Sequence, residues 1–268
     1  MIRVESLAHV YEGGTRAVDG VDLHIERGQR VAIVGQNGSG KTTLVRHFNG
    51  LLRPTNGRVI VDGEDAKGRR VAALAAIVGL AFQDPDRQIF AGRVRAEVEF
   101  GPRNLGNRGA RLSQVVNKAL LATGLEGDAN ANPYDLGYSR RKLLALASIL
   151  AMETPVVVLD EPTTGQDAHG IERVQGIVAS LGEAGRTVVA ISHDMRFVAE
   201  SFERVVVMRA GRVVLDGSPA KVFGESSWPT LASTYLEPPL AARVGARLGL
   251  GATPTEASLV DVLAATRG

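Results

Sequence analysis

Residues 30–43 read Arg-Val-Ala-Ile-Val-Gly-Gln-Asn-Gly-Ser-Gly-Lys-Thr-Thr, and this stretch decides the fold. Arg30 to Val34 is a short apolar run of the kind that makes a buried strand. Gly35 to Gly40 is a glycine-rich loop, and Lys41 to Asn49 carries a helical pattern. The loop matches G-x-x-x-x-G-K-[ST] at Gly35, Gln36, Asn37, Gly38, Ser39, Gly40, Lys41 and Thr42. Glycines let successive N–H groups turn toward phosphate oxygens, and the following helix adds the positive end of its dipole. Lys41 then reaches the terminal phosphates, Thr42 offers its hydroxyl to Mg²⁺, and Thr43 completes the candidate binding set. At ordinary residue frequencies a chance match arises in about one in a hundred chains of this length.

Further along the chain, Val156 to Pro162 reads VVVLDEP, a buried strand that ends in two carboxylates. Carboxylates at the end of an apolar strand are costly unless they have partners. Asp160 is placed to hold Mg²⁺ through water, and Glu161 to act as general base on the water that attacks a γ-phosphate. His193 follows another buried strand, Val188 to Ile191, at the sheet edge where α/β proteins place their ligands. It is read as a γ-phosphate contact. Gln83 follows the strand read at Ile77 to Phe82, and its amide is read as a ligand for both Mg²⁺ and the attacking water. His9, His24, His47 and His169 carry only the structural reading.

Around these segments the chain divides by pattern. Alternating stretches at Ile2 to Val10, Val21 to Ile25 and Val59 to Val61, broken by Gly13-Gly14 and Asp62-Gly63, predict antiparallel strands and hairpins. Continuous apolar runs at Val156 to Leu159, Val188 to Ile191 and Val205 to Met208 predict a parallel sheet covered on both faces. Between Asp84 and Met152 the pattern turns helical at Arg93 to Phe100, Ala110 to Thr123 and Ser139 to Met152. Beyond Gly224 the sequence becomes rich in Pro, Ser and Ala, with an amphipathic stretch from Thr255 to Thr266.

Composition narrows the function classes. The 268 residues are 44% hydrophobic and 22% charged, which excludes a disordered chain. The longest apolar run, Val71 to Phe82, is far shorter than the ~20 residues a spanning helix needs. The N-terminus lacks the basic flank and apolar stretch of a signal peptide, so neither spanning nor export is expected. A net charge of +2, scattered arginines and 4% aromatics give no nucleic-acid surface.

Loop, Gln83, the Asp160-Glu161 pair and His193, in that order and with a helical insertion between Gln83 and the pair, resemble the ATP-binding cassette (ABC) ATPases. The resemblance implies an α/β P-loop NTPase with a mixed core sheet, an antiparallel β subdomain, a helical subdomain and a small C-terminal extension. It covers residues 1–224, with the helical subdomain at about 84–152, and leaves 225–268 as an extension that helps hold two ATPases together. It also implies ATP and Mg²⁺ as cofactors. Tyr11 would stack on adenine, the other reading being a strand aromatic that packs a hairpin. Gly165-Gln166-Asp167 stands where the family has the loop crossing the dimer interface, with Gln166 in place of the usual leucine.

FQDPDRQIF at Phe82 to Phe90 and VRAEVEFGPRNLG at Val94 to Gly106 resemble the ATPase subunits of energy-coupling factor (ECF) transporters, which take up vitamins or transition-metal ions. That resemblance implies a peripheral protein on the cytoplasmic face of the cell membrane. It would work with a second ATPase, an integral membrane coupling subunit docking near Gln83 to Phe90, and a substrate-binding membrane subunit. Asp84, Asp86, Arg87 and Gln88 beside Ile89 and Phe90 would form the docking surface. Another ABC importer, or an ABC ATPase acting on DNA or ribosomes, is the alternative.

One segment departs from the family. By the resemblance the signature LSGGQ begins the helix that caps the nucleotide held by the partner's phosphate loop, so each site of a dimer uses one chain's loop and the other chain's signature. Here LSGGQ is replaced by Leu136-Gly137-Tyr138-Ser139-Arg140. Ser139 is expected to cap the helix and Arg140 to bring positive charge, while Tyr138 would crowd a close backbone approach. A homodimer would carry two altered sites, which favours a heterodimer with an ATPase of ordinary signature.

Overall fold

Buried Ile2, Val4 and Leu7 lie on one face of β1 (Ile2–Val10), although they are not evenly spaced. The spacing works because Ser6, at φ +44°, makes a bulge that resets the period-two alternation. The computed structural model describes residues 1–266. β1 pairs antiparallel with β2 (Arg16–Ile25) on one side and β4 (Asn56–Val61) on the other, and the two-residue β5 (Glu64–Asp65) completes this sheet in the order β2-β1-β4-β5.

The second sheet has the order β10-β9-β3-β8-β7-β6. It is built from β3 (Arg30–Val34), β6 (Val78–Ala81), β7 (Val156–Asp160), β8 (Thr187–Ile191), β9 (Arg204–Arg209) and β10 (Arg212–Gly217). All neighbours are parallel except the β9-β10 hairpin, so the sheet is mixed. Each central strand divides its side chains between two cores. Ala32, Val34, Val157 and Leu159 face one core, and Val31, Ile33, Val156 and Val158 the other. Burial on both faces explains why these strands read as unbroken apolar runs. A valine fully removed from water contributes about 1.5–3 kcal/mol.

Helix α1 (Lys41–Phe48) follows β3, and α2 (Val71–Ala75) precedes β6. The long apolar run from Val71 to Phe82 is thus half helix and half strand, turning at Ala76-Ile77. Three helices fill the interval between β6 and β7: α3 (Val94–Asn104), α4 (Gly109–Thr123) and α5 (Tyr138–Leu150). α6 (Ala168–Glu183) and α7 (Met195–Ser201) follow β7 and β8. The C-terminal stretch is helical rather than irregular, with α8 (Pro219–Val222), α9 (Trp228–Ala232), α10 (Leu240–Arg247) and α11 (Glu256–Ala265). Trp228 anchors it, packing on the larger core while its indole Nε1 donates to Phe223 O at 2.8 Å. The stretch expected to be amphipathic from Thr255 to Thr266 forms α11 but buries none of its residues. No helix among the described residues is long and apolar enough to cross a membrane.

Candidate nucleotide site

The site assembles because β3, β8, β7 and β6 are consecutive neighbours that run in one direction. Their C-terminal ends therefore open on the same edge. β3 delivers the Gly35–Gly40 loop, β7 delivers Asp160 and Glu161, β8 leads to His193, and β6 to Gln83.

The loop needs glycine at two positions for reasons the structure makes explicit. Gly35 (φ +151°) passes so close to the end of β9 that a Cβ there would stand 2.2 Å from Met208 O. Gly40, the N-cap of α1 at φ +98°, would put a Cβ 2.1 Å from Ala17 O. Within the loop Lys41 is buried, and its Nζ donates to Gly35 O at 2.6 Å and Gln36 O at 3.0 Å. Burial pulls its pKa below the usual lysine range, against the attraction of Glu161 and Asp160. Ser39 Oγ is buried with no hydrogen-bond partner, although half-exposed Gln36 and exposed Asn37 belong to the same loop.

Thr42 Oγ1 donates to Asp160 Oδ2 at 3.2 Å, while Asp160 Oδ1 is buried without a partner. Burial raises the Asp160 pKa. An orphaned carboxylate oxygen beside a hydroxyl, with an amide close by, is an all-oxygen donor set suited to a hard divalent cation. Gln83 is exposed and lines a cleft of about 470 Å³ with Thr42 and Asp160. Thr42, Gln83 and Asp160 are thus brought together, and the residues fit Mg²⁺.

Glu161 sits in a turn at φ +53°, uncommon for a residue with a Cβ. Two bonds hold it there: its N–H donates to Ile191 O at 2.9 Å, and Lys142 Nζ, from α5, donates to its carbonyl. Its carboxylate is buried, with Oε1 3.1 Å from His193 Nε2, and Oε2 accepts from His193 N at 3.3 Å and Thr164 Oγ1 at 3.4 Å. Burial raises the Glu161 pKa, and burial followed by nearby Lys41 lowers that of His193. A neutral imidazole therefore faces the carboxylate, with its ring partly open to solvent.

Tyr11 lies at the far side of the loop. Its Oη is 3.0 Å from Thr43 Oγ1, and its ring meets His9 edge-on at 4.6 Å between centroids. About two fifths of it remains exposed, leaving a face for a planar ligand. His9 and His47 are buried beneath it. His47 Nδ1 donates to Thr43 O at 2.7 Å, in keeping with the structural reading.

Three expectations are corrected by the geometry. Ser139 does not cap α5: Gly137 is the N-cap, and Ser139 Oγ donates to Gln166 Oε1 at 2.7 Å inside the first turn. Arg140 brings no free charge, because its guanidinium is tied to Asp128 and Gly124 O. Of the Asp84–Phe90 segment, Ile89 is buried. Gln88 turns inward, accepting from Phe82 N and donating to Ala145 O at 2.7 Å and Ser148 Oγ at 2.9 Å. Asp84 caps the short turn at Pro85, so Asp86, Arg87 and Phe90 are the outward side chains. Sequence reading also passed over Lys142. A lysine that ends the basic run Arg140 to Lys142 just before the apolar stretch Leu143 to Ala147 was the available signal.

A family model for "ABC transporter" matches residues 18–164. The chain belongs to the ABC transporter ATP-binding family, whose members are ATPase cassettes. A putative ABC transporter ATP-binding protein of Caldanaerobacter subterraneus subsp. tengcongensis is 43% identical over 93% of this chain and 43% of its own length. A Methanosarcina acetivorans relative, 43% identical over 91% of this chain, is likewise matched over 39% of its length. The chain thus spans about two fifths of these two relatives. It covers more of the energy-coupling factor transporter ATP-binding protein EcfA of Methanothermobacter thermautotrophicus, 39% identical over 88% of this chain and 76% of that protein. Among solved structures, cbiO1 of Clostridium perfringens, part of the ABC transporter complex cbiONQ, superposes with TM-score 0.76 and 34% identity, covering 92% of this chain and 98% of that one. A dimeric ATP-binding cassette bound to ADP and Pi superposes with TM-score 0.75 at 26% identity, over 81% of this ABC chain and 98% of that one.

Proposed function

We propose that this ABC ATPase hydrolyses ATP to energise uptake of a micronutrient, a vitamin or a transition-metal ion, in an ECF-type transporter. The observation that carries the hydrolytic part is the placement of Glu161, buried and fixed at the strand edge beside His193. Lys41 and the loop N–H groups bind the phosphates, Ser39 Oγ adds a donor, and Tyr11 takes the adenine. Thr42, Asp160 and Gln83 would hold Mg²⁺, which would supply charge neutralisation to the phosphates. Glu161 accepts the proton of the attacking water, and His193 keeps the carboxylate oriented and meets the γ-phosphate.

ATP closes a dimer with a second, different ATPase, and hydrolysis reopens it. The similarity to energy-coupling factor ATP-binding proteins supports the transporter type. A groove of about 330 Å³ bordered by Phe90, Phe100 and Leu105, all substantially exposed, supports docking of a helix from a membrane coupling subunit. Separate substrate-binding membrane proteins choose the cargo, and the chain works at the cytoplasmic face of the membrane.

The test is affinity purification of the tagged chain from detergent-solubilised native membranes, with co-purifying proteins identified by mass. Recovery of a multispanning membrane protein with a second ATPase is expected. Recovery of the chain alone, or with ribosomes or DNA, would overturn the transport reading and leave the cassette assignment intact.

A further inference from the structure

Two departures from the family pattern, 27 positions apart, meet in space. Ser139 Oγ donates to Gln166 Oε1 at 2.7 Å, and Gln166 Nε2 returns a hydrogen bond to Ser139 O at 3.0 Å. Both residues are half-buried, and each satisfies the other. Beside them the Tyr138 ring lies over Gly165, so close that a Cβ on that glycine would stand 2.8 Å from it. On the other flank Gln166 Oε1 fills the space above Gly170, where a Cβ would be 2.3 Å away. A leucine at position 166 offers no hydrogen bond, and a glycine at 139 has no hydroxyl to give. The side-chain bond therefore exists only because both positions have changed, while the return bond, to the main-chain oxygen of residue 139, needs only Gln166.

We propose that Tyr138, Ser139 and Gln166 form an intrachain latch that commits the start of α5 to this chain's own Gly165–Asp167 loop. The latch withdraws that segment from any nucleotide held by a second ATPase. The chain then acts on nucleotide only from its own phosphate loop. Three features carry this. The serine hydroxyl at the start of α5 is engaged, the tyrosine ring covers the main chain at Gly165, and Arg140 is held by Asp128. Gly137 has nothing within 4 Å of a Cβ position, so a serine fits there and the ordinary signature can be rebuilt. The inference rests on the nucleotide-site reading above and deepens it by fixing the direction of the asymmetry.

The test uses the full chain carrying Glu161→Gln, which keeps ATP from being consumed. ATP binding is measured first by calorimetry, and self-association with and without ATP by analytical ultracentrifugation. The latched chain is expected to bind ATP and to associate no more than about threefold more strongly with it than without. Adding Gly137→Ser, Tyr138→Gly, Ser139→Gly and Gln166→Leu is expected to raise ATP-dependent association at least about tenfold. Equal ATP-driven association of the latched and rebuilt chains overturns the latch, as does a rebuilt chain that binds ATP and stays monomeric. Absence of ATP binding in both instead refutes the nucleotide-site reading. Gln166→Leu alone guards against a misfolded multiple variant. It is expected to speed hydrogen exchange in the first turn of α5 at least about tenfold, and unchanged exchange there refutes the latch.

Discussion

Replacing Glu161 by glutamine removes a proton acceptor while leaving the surrounding structure its partners. The side chain is 4% exposed and its pKa is held up by burial, so the substitution also removes a carboxylate that is costly to desolvate. Glutamine's carbonyl oxygen can accept from His193 N and Thr164 Oγ1 as Oε2 does, and its amide can donate to the neutral His193 Nε2 that now stands 3.1 Å from Oε1. The grip of Lys142 is on the backbone carbonyl and is untouched. Stability should therefore be unchanged or raised. A general base is worth about 10²–10⁴ in rate, roughly 2.7–5.5 kcal/mol at 1.36 kcal/mol per decade. Steady-state phosphate release should fall by that factor, with ATP affinity equal or tighter by calorimetry and the melting temperature no lower. Phosphate release within tenfold of the unsubstituted protein, with binding and melting intact, would refute the assignment of Glu161 as base.

Two other outcomes follow from the same geometry. Tyr11→Ala should weaken ATP by about 0.5–1.5 kcal/mol, roughly two- to twelvefold in Kd, while inorganic triphosphate binding is unchanged, because the lost contact is an aromatic face. Equal loss for both ligands would place Tyr11 in phosphate-loop support through Thr43 instead. Lys142 has its pKa pushed down to about 8 by burial, below the 10.5 of the unfolded chain. Between those values the unfolded chain holds a proton that the folded chain has released, so stability rises with pH from about 8 to 10.5 and this contribution is flat below. Urea midpoints followed across that range should climb more for the unsubstituted protein than for Lys142→Met, and parallel curves would be evidence against a buried lysine.

Legibility differed by kind of residue. The phosphate loop, the carboxylate pair and His193 could be read because each follows a strand buried on both faces. Such strands are continuous apolar runs that end abruptly in polar residues. Within the run from Val71 to Phe82 the strand is legible from Ile77 onward but the short helix before it is not, because a short apolar helix and a buried strand look alike until the turn between them is seen. What stayed hidden was direction. In the sequence Gln88 looks like a side chain facing water, and only the packing of α5 shows its amide donating to Ala145 O and Ser148 Oγ. Arg140 reads as free charge until the fold brings Asp128 to it. The Ser139–Gln166 pair was out of reach because each departure was weighed at its own position, and nothing in local spacing says that 139 and 166 touch.

The inward turn of Gln88 and the reach of Lys142 have a joint consequence for how a nucleotide signal leaves the site. α5 is bonded twice to the sheet edge from which Glu161 and Gln83 project. Near its start Lys142 holds the carbonyl of Glu161, and near its end Ala145 and Ser148 hold Gln88, which accepts from Phe82 N, one residue before Gln83. α5 also borders, through Ser148 and Ile149, the groove where Phe90 and Phe100 stand edge-to-face at 4.7 Å. A shift of the main chain at Glu161 or at Phe82 therefore strains a hydrogen bond in this chain of contacts, and such a bond costs about 1–3 kcal/mol to leave unmade when buried. Between the candidate phosphate site and the exposed aromatic groove thus stands a helix fastened at two points, and it is fastened by the side chains least conspicuous in the sequence.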